Sequence, residues 1–202
     1  GVKNLDDIKQ ILNCGADKVF LNTGILENPN FAKKAINIYG SSTISANVVI
    51  TKSNDKYYIL KNHGRDNQNN LEPIDWIKFL DDIGIGEIIL TFAHKDGTKE
   101  GFDLRFLDTM QSNISASIIL NGGASDINSI KKITKYSFVN GVAISTLFHD
   151  MISKKQSFKS LKKIDKAKFD SIKNSSTKSG KTYNIIKTLK NELSKKGIQV
   201  RK

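Results

Sequence analysis

Along residues 1–152 the apolar positions switch repeatedly between a helical and a strand period. Leu5, Ile8, Ile11 and Leu12 recur at helical spacing behind Asn4, an N-cap residue, and Gly15 stops the run. Residues 18–22 read as a short buried strand. Pro29 opens a second helix with Phe31, Ala35 and Ile38 on its inner face and Gly40 at its end. The β-branched run 44–51 predicts a strand, and 56–60 a flanking strand or hairpin arm. A polar loop at 66–70 leads to a helix over 73–83, with Trp76, Ile77 and Leu80 on one face and closure at Gly84. Then come a strand at 87–92, a helix at 103–110, and a strand at 117–120 ending in Asn121-Gly122-Gly123. A helix at 127–136, a strand at 142–144 and a helix start at 146–151 complete the series. Strands alternating with helices predict βαβ units and a parallel sheet, open or closed.

The remainder reads differently. Residues 174–180 form a Ser/Thr/Lys/Gly cluster typical of a loop or disordered linker. Tyr183, Ile186, Leu189 and Leu193 then make one apolar stripe, stopped by Gly197, which predicts a final helix packed back on the domain. A faint repeat is also present. Gly1, Leu5, Ile8 and Ile11 match Gly123, Ile127, Ile130 and Ile133 at an offset of 122, and the same offset brings 21–23 onto 143–145. Two related halves of a barrel would repeat in this way, and so would two generic βα units.

The chain has 202 residues, room for one large domain or two small ones, and its 38% hydrophobic content supports a packed core. No run approaches the roughly 18 apolar residues of a membrane span, and the start does not resemble a signal peptide. The single Cys14 excludes a disulfide framework or cysteine-rich zinc module, and His63, His94 and His149 lack metal-ligand spacing. The expectation is a cytoplasmic α/β protein with no metal. A net charge of +12 suggests nucleic acid until it is located. Residues 1–152 carry 16 basic against 17 acidic side chains, and residues 153–202 carry 16 against 3. The excess therefore belongs to the C-terminal segment, whose lysines lack interleaved aromatics. A solvated lysine-rich surface is favoured over an RNA, DNA or acidic-partner patch.

Three strand ends carry residues suited to phosphate. Asn22-Thr23-Gly24, Asn121-Gly122-Gly123 and Ile144-Ser145-Thr146 offer glycines, hydroxyls and helix N-terminal amides. Each singly also serves as an ordinary turn or cap. Their shared position at strand C-termini is the stronger sign, because parallel α/β folds collect ligands there. The segment 86–91, followed by Lys95-Asp96-Gly97-Thr98-Lys99 and Gly101-Phe102-Asp103, places carboxylates just beyond a strand. Asp96 and Asp103 could act there as acid or base, or as a turn residue and a helix cap.

This arrangement resembles the cyclase subunit of imidazole glycerol phosphate synthase, of histidine biosynthesis. The segment 15–23 looks like that family's fourth strand, 86–91 and 96–99 like its sixth strand and following loop. Gly122-Gly123-Ala124 resembles the seventh strand end, and 145–149 the eighth. The ending 193–201 resembles the family's C-terminus. The resemblance implies a (β/α)8 barrel, with this chain running from the end of strand three to the last helix. Residues 1–152 would be a partial barrel, 153–180 a lysine-rich insertion or loop, and 181–202 the last helix and tail. Either another polypeptide or further residues of the same one would complete it. It further implies that ammonia from a glutaminase partner converts a bis-phosphorylated ribotide, without a cofactor, into imidazole glycerol phosphate and aminoimidazole carboxamide ribotide. Asn22 and Thr23 would hold one phosphate; Asp96, Gly97, Gly122, Gly123, Ser145 and Thr146 the other end. Lys18 and Glu87 would border the ammonia entry, or form only a strand-end ion pair, and Asp17 would face the partner.

Two departures accompany the likeness. The family's strand-one aspartate has no counterpart in the sequence. Its strand-five aspartate corresponds to Val49, which transfers no proton; Asp55 could serve only after a register shift. The family acid in the loop after strand six is His94 here, and its arginine is Lys95. Two other readings therefore stand beside the cyclase: a catalytically silent phosphate-ligand-binding or scaffold protein, and an amidotransferase partner in surface-sugar amidination.

Overall fold

Helix α1 (Leu5–Asn13) starts with a reciprocal cap: Asn4 accepts the Asp7 N–H at 2.9 Å, and the Asp7 carboxylate accepts the Asn4 N–H at 3.2 Å. Gly15, at φ +96°, turns the chain toward β1 (Val19–Leu21). The short α2 (Thr23–Glu27) and α3 (Pro29–Tyr39) follow, then the long β2 (Ile44–Ser53). An Asn54-Asp55 turn, both residues at positive φ, folds β3 (Lys56–Lys61) back along β2. Thereafter come β4 (Asp66–Gln68), α4 (Pro73–Asp82), β5 (Glu87–Phe92), α5 (Leu104–Thr109), β6 (Ser117–Asn121), α6 (Ile127–Ile133), β7 (Val139–Ala143) and α7 (Ile185–Lys195). These elements come from a computed structural model that describes residues 1–62, 66–68, 70–110, 113–146 and 185–201. The chain divides into two units, Gly1–Ile144 and Ser145–Lys202.

In the first unit β1, β2, β5, β6 and β7 pair in parallel, in that order, each next to its predecessor among them. A doubly wound sheet would reverse direction part-way; this one never does, which is the strand order of a (β/α) barrel. Among the described residues the sheet remains open. The edge of β2 facing away from β5 is shared: Ile44–Ala46 pair with β1, and Val49–Ser53 pair with β3.

Alternation divides the sheet into two faces. Ile44, Ala46, Val48, Ile50, Ile88, Leu90, Phe92, Ile118 and Leu120 are buried. The helices contribute Phe31, Ala32, Ala35, Trp76, Ile77, Leu80, Phe106, Leu107, Ile130 and Ile133 to the core. The opposite face carries Asn47, Val49, Ile89, Thr91, Ile119 and Asn121, all half-buried. That face positions the site.

Several expectations need correcting. Phe31 and Ala35 are buried as expected, but Ile38 is 59% exposed; the buried face of α3 is turned toward Ala32 and Ile36. Phe20, expected in a buried strand, is 44% exposed. The expected loop at 66–70 contains β4, whose backbone pairs with the free edge of β3 and needs no apolar pattern. Helix α6 stops at Ile133, and β7 starts at Val139 rather than 142. Of the C-terminal stripe Leu189 and Leu193 are buried, while Ile186 is 55% exposed. Segment 153–180, residues 147–151, His63, His149 and Tyr183 lie outside the described residues. The faint repeat has a structural counterpart: Asp126 and Ser129 form the same reciprocal cap at the start of α6 that Asn4 and Asp7 form at α1.

Candidate functional site

A cavity of about 610 Å³ opens on the half-exposed face of the sheet, at the C-terminal ends of β1, β2 and β5. Asn22 and Thr23 enter it from the β1–α2 junction, Asn47 and Val49 from β2, Thr91 from β5, and Ala93 and Asp96 from the following loop. Gly1, Val2 and Lys3 form another wall, with Phe20 and Asn62. A Cβ on Gly24 would lie 2.5 Å from the Val2 carbonyl oxygen, so only glycine lets the chain cross there. The volume suits a small organic ligand.

The polar chemistry of the strands on this face is neutral. The Thr91 hydroxyl donates to Asn47 Oδ1 at 2.9 Å, and Asn121 Nδ2 donates to Thr91 Oγ1 at 3.3 Å. Thr23 Oγ1 accepts the Asn62 N–H at 3.0 Å, tying the end of β3 to the start of α2. The buried Asn22 Oδ1 and Ser45 Oγ have no hydrogen-bond partner among the described residues. The residues of β2 that face this side are Ser45, Asn47, Val49 and Thr51, none of them an acid. Asp55 sits at the hairpin tip, its side chain 89% exposed and paired with Lys52 at 2.7 Å, and so is no substitute.

Behind the Asp96 loop lies a second cluster. Asp103 caps α5 by accepting the Phe106 N–H at 3.1 Å. Its carboxylate also receives the Tyr57 hydroxyl at 3.0 Å and pairs with His94 Nε2 at 2.8 Å. Burial raises the Asp103 pKa, but the bonds from Phe106, His94 and Tyr57 outweigh it and hold the carboxyl below its usual range. Burial first, then the neighbouring carboxylate, pushes Tyr57 up to about 12. Of the two readings left open for Asp103, the helix cap is the observed one. His94 packs against Phe92 and Tyr57, not among the residues lining the cavity.

Residues 1–154 match the family described as "Histidine biosynthesis protein". The chain belongs to this family. It is 36% identical over 151 residues to the imidazole glycerol phosphate synthase subunit HisF of Leptospira biflexa, covering 74% of this chain and 59% of that protein. The HisF subunit of Clostridium botulinum is 34% identical over the same shares, and that of Petrotoga mobilis 29% identical over 81% of this chain and 66% of the relative. The chain thus spans about three fifths of the length of the first two relatives.

The other residues singled out in this family member fall in several places. Lys18 and Glu87 form an ion pair at 2.9 Å at the N-terminal end of the strands, opposite the cavity end. Asp17 beside them is exposed. Gly97 turns the loop after β5 at φ +74°. Gly122 and Gly123 are packed against the chain itself: a Cβ on Gly122 would lie 2.6 Å from the Phe92 carbonyl oxygen, and Gly123 O accepts the Gly101 N–H at 2.7 Å. Ser145 and Thr146 belong to the second unit, Ser145 being exposed. Sequence reading overlooked Lys3, Asn47, Asn62 and Thr91. A signal for two of them was present, since Asn47 and Thr91 are polar positions in strands that a parallel sheet would ordinarily bury on both faces. Among the described residues, no cluster of three or more His, Cys, Asp or Glu could hold a metal ion, and no helix is long and apolar enough to cross a membrane.

Proposed function

We propose that this chain acts as a cyclase-subunit-like component of imidazole glycerol phosphate synthase. In this reading a cytoplasmic glutaminase partner supplies ammonia at the Lys18–Glu87 end, with Asp17 on the partner side. A ribotide carrying two phosphates lies across the strand C-termini. Asn22 and Thr23 grip one phosphate, while Asp96, Gly97, Gly122 and Gly123 serve the other end. The observation that carries the reading is the cavity joining Asn22, Thr23, Thr91 and Asp96 at one end of a singly wound parallel sheet, in a chain of this family. No cofactor has a part in it.

Val49 favours a second reading, a silent relative that binds the ligand without turnover. An isopropyl group facing the cavity offers no proton, and general acid–base steps are worth roughly 10²–10⁴-fold. One experiment separates the two: supply ammonia and the bis-phosphorylated ribotide, then measure product and ligand binding independently. Turnover supports the cyclase. Binding without turnover supports the silent relative, and absence of both refutes the phosphate-cleft reading.

A further inference from the structure

Lys18, Phe20 and Asn22 follow one another on one side of β1, because Val19 and Leu21 between them turn into the helix-covered core. Lys18 is at the N-terminal end, paired with Glu87, and Asn22 is in the cavity. Phe20 stands between them. Its register partner on β2 is Ser45, and Ser45 in turn lies opposite Glu87 on β5. The cavity lining includes Phe20 but not Lys18, Ser45 or Glu87. The phenyl ring is thus part of the cavity floor on this wall, and the ion pair lies beneath it. At the level of the ring Ser45 is fully buried, and its Oγ has no hydrogen-bond partner among the described residues. Such a hydroxyl can hold one small hydrogen-bonding molecule in passage. Phe20 itself is 44% exposed, so its ring has open space to swing into.

From this placement we infer that Phe20 is a gate between the Lys18–Glu87 end and the cavity. With the ring across the floor, a small molecule at the ion pair is kept out; with the ring turned aside, it passes Ser45 and reaches Asn47 and Thr91. The gate favours a neutral molecule, because an ion would have to shed water against an apolar ring. The inference rests on the reading above, in which ammonia arrives at the Lys18–Glu87 end, and names the residue that controls its onward passage. Phe20 touches no reacting atom and acts only on the route.

Hydrogen peroxide, neutral and little larger than ammonia, serves as the probe, and Ser45→Cys supplies the reporter thiol in a chain that also carries Cys14→Ser. Oxidation of that one thiol is followed by mass. Because thiol oxidation follows access, adding Phe20→Ala should speed it at least about fivefold. Phe20→Trp fills more of the same level and does not rely on a truncated side chain folding normally; it should slow the oxidation at least about twofold. Ala46→Cys, buried on the opposite face of the same strand, is the control, and Phe20→Ala should leave its oxidation within about twofold. A smaller acceleration of the Ser45→Cys thiol, or equal acceleration of both thiols, overturns the gate, and so does Phe20→Trp without slowing. Failure of the ribotide to bind or turn over with added ammonia refutes the phosphate-cleft reading and leaves these oxidation rates as they are, so the two fail separately.

Discussion

Asp103→Ala removes the acceptor of three groups drawn from three elements: the Phe106 N–H of α5, the Tyr57 hydroxyl of β3 and His94 Nε2 from the loop after β5. Loss of the helix cap costs about 1 kcal/mol. Stranding the tyrosine hydroxyl and the imidazole costs about 1 kcal/mol each, taken at the low end because both side chains keep some contact with water. The total is about 3 kcal/mol, a large share of the roughly 5–15 kcal/mol that holds an ordinary domain together. With a urea slope of about 2 kcal/mol per molar, the unfolding midpoint followed by circular dichroism should drop by about 1.5 M. The carboxyl titrates below its usual range in the folded chain. Its contribution is therefore complete above the unfolded value, near 3.8, and is lost as the pH falls through the lower folded value. The gap between the unaltered chain and the variant should accordingly narrow in acid. A double-mutant cycle with Tyr57→Phe should show coupling. A midpoint shift under about 0.3 M, or strictly additive single changes, would refute the idea that Asp103 fastens hairpin, loop and helix together.

The same cluster predicts an alkaline limit. Tyr57 titrates near 12 when folded against 10 when free, so its protonated form supports the fold below pH 10 and that support fades as the pH rises toward 12. Two pK units set a ceiling of about 2.7 kcal/mol, and solvent screening brings the expected loss to about 1 kcal/mol. Unfolding curves at pH 9 and 11.5 should differ by that amount more in the unaltered chain than in Tyr57→Phe, and an equal loss in both would dismiss it. Gly122→Ala places a Cβ against the Phe92 carbonyl at a φ of +90°, and a thermal melt should reveal a loss of at least about 2 kcal/mol. A melt within 1 °C of the unaltered chain contradicts the crossing geometry.

The chain order of helices and parallel strands was legible from residues 1–144 because each element is encoded locally. Asn4 is a cap, Gly15, Gly40 and Gly84 are stops, and 44–51 is a β-branched run whatever surrounds it. The likeness to the histidine biosynthesis family was legible for the same reason, since 15–23 and 86–99 are continuous stretches. Which side of each element faces water was less so. Ile38 obeys the helical period and lies outside, because the face that α3 turns inward is decided by what packs against it, and that face carries Ala32, Ala35 and Ile36. Asp103 read equally well as an acid or a cap until its partners were known.

By itself, then, the sequence determined the element series apart from α2 and β4, the parallel βα pattern and the absence of an acid along β2, all properties of neighbouring residues. Tertiary structure alone decided that Asn47, Thr91 and Asn121 form one hydrogen-bonded chain, that Tyr57 reaches an aspartate 46 positions away, and that Val49 faces the cavity. The physical reason is that hydrogen bonds between strands depend on register and pleat. Those are fixed only when the helices have buried one face of the sheet and left the other open.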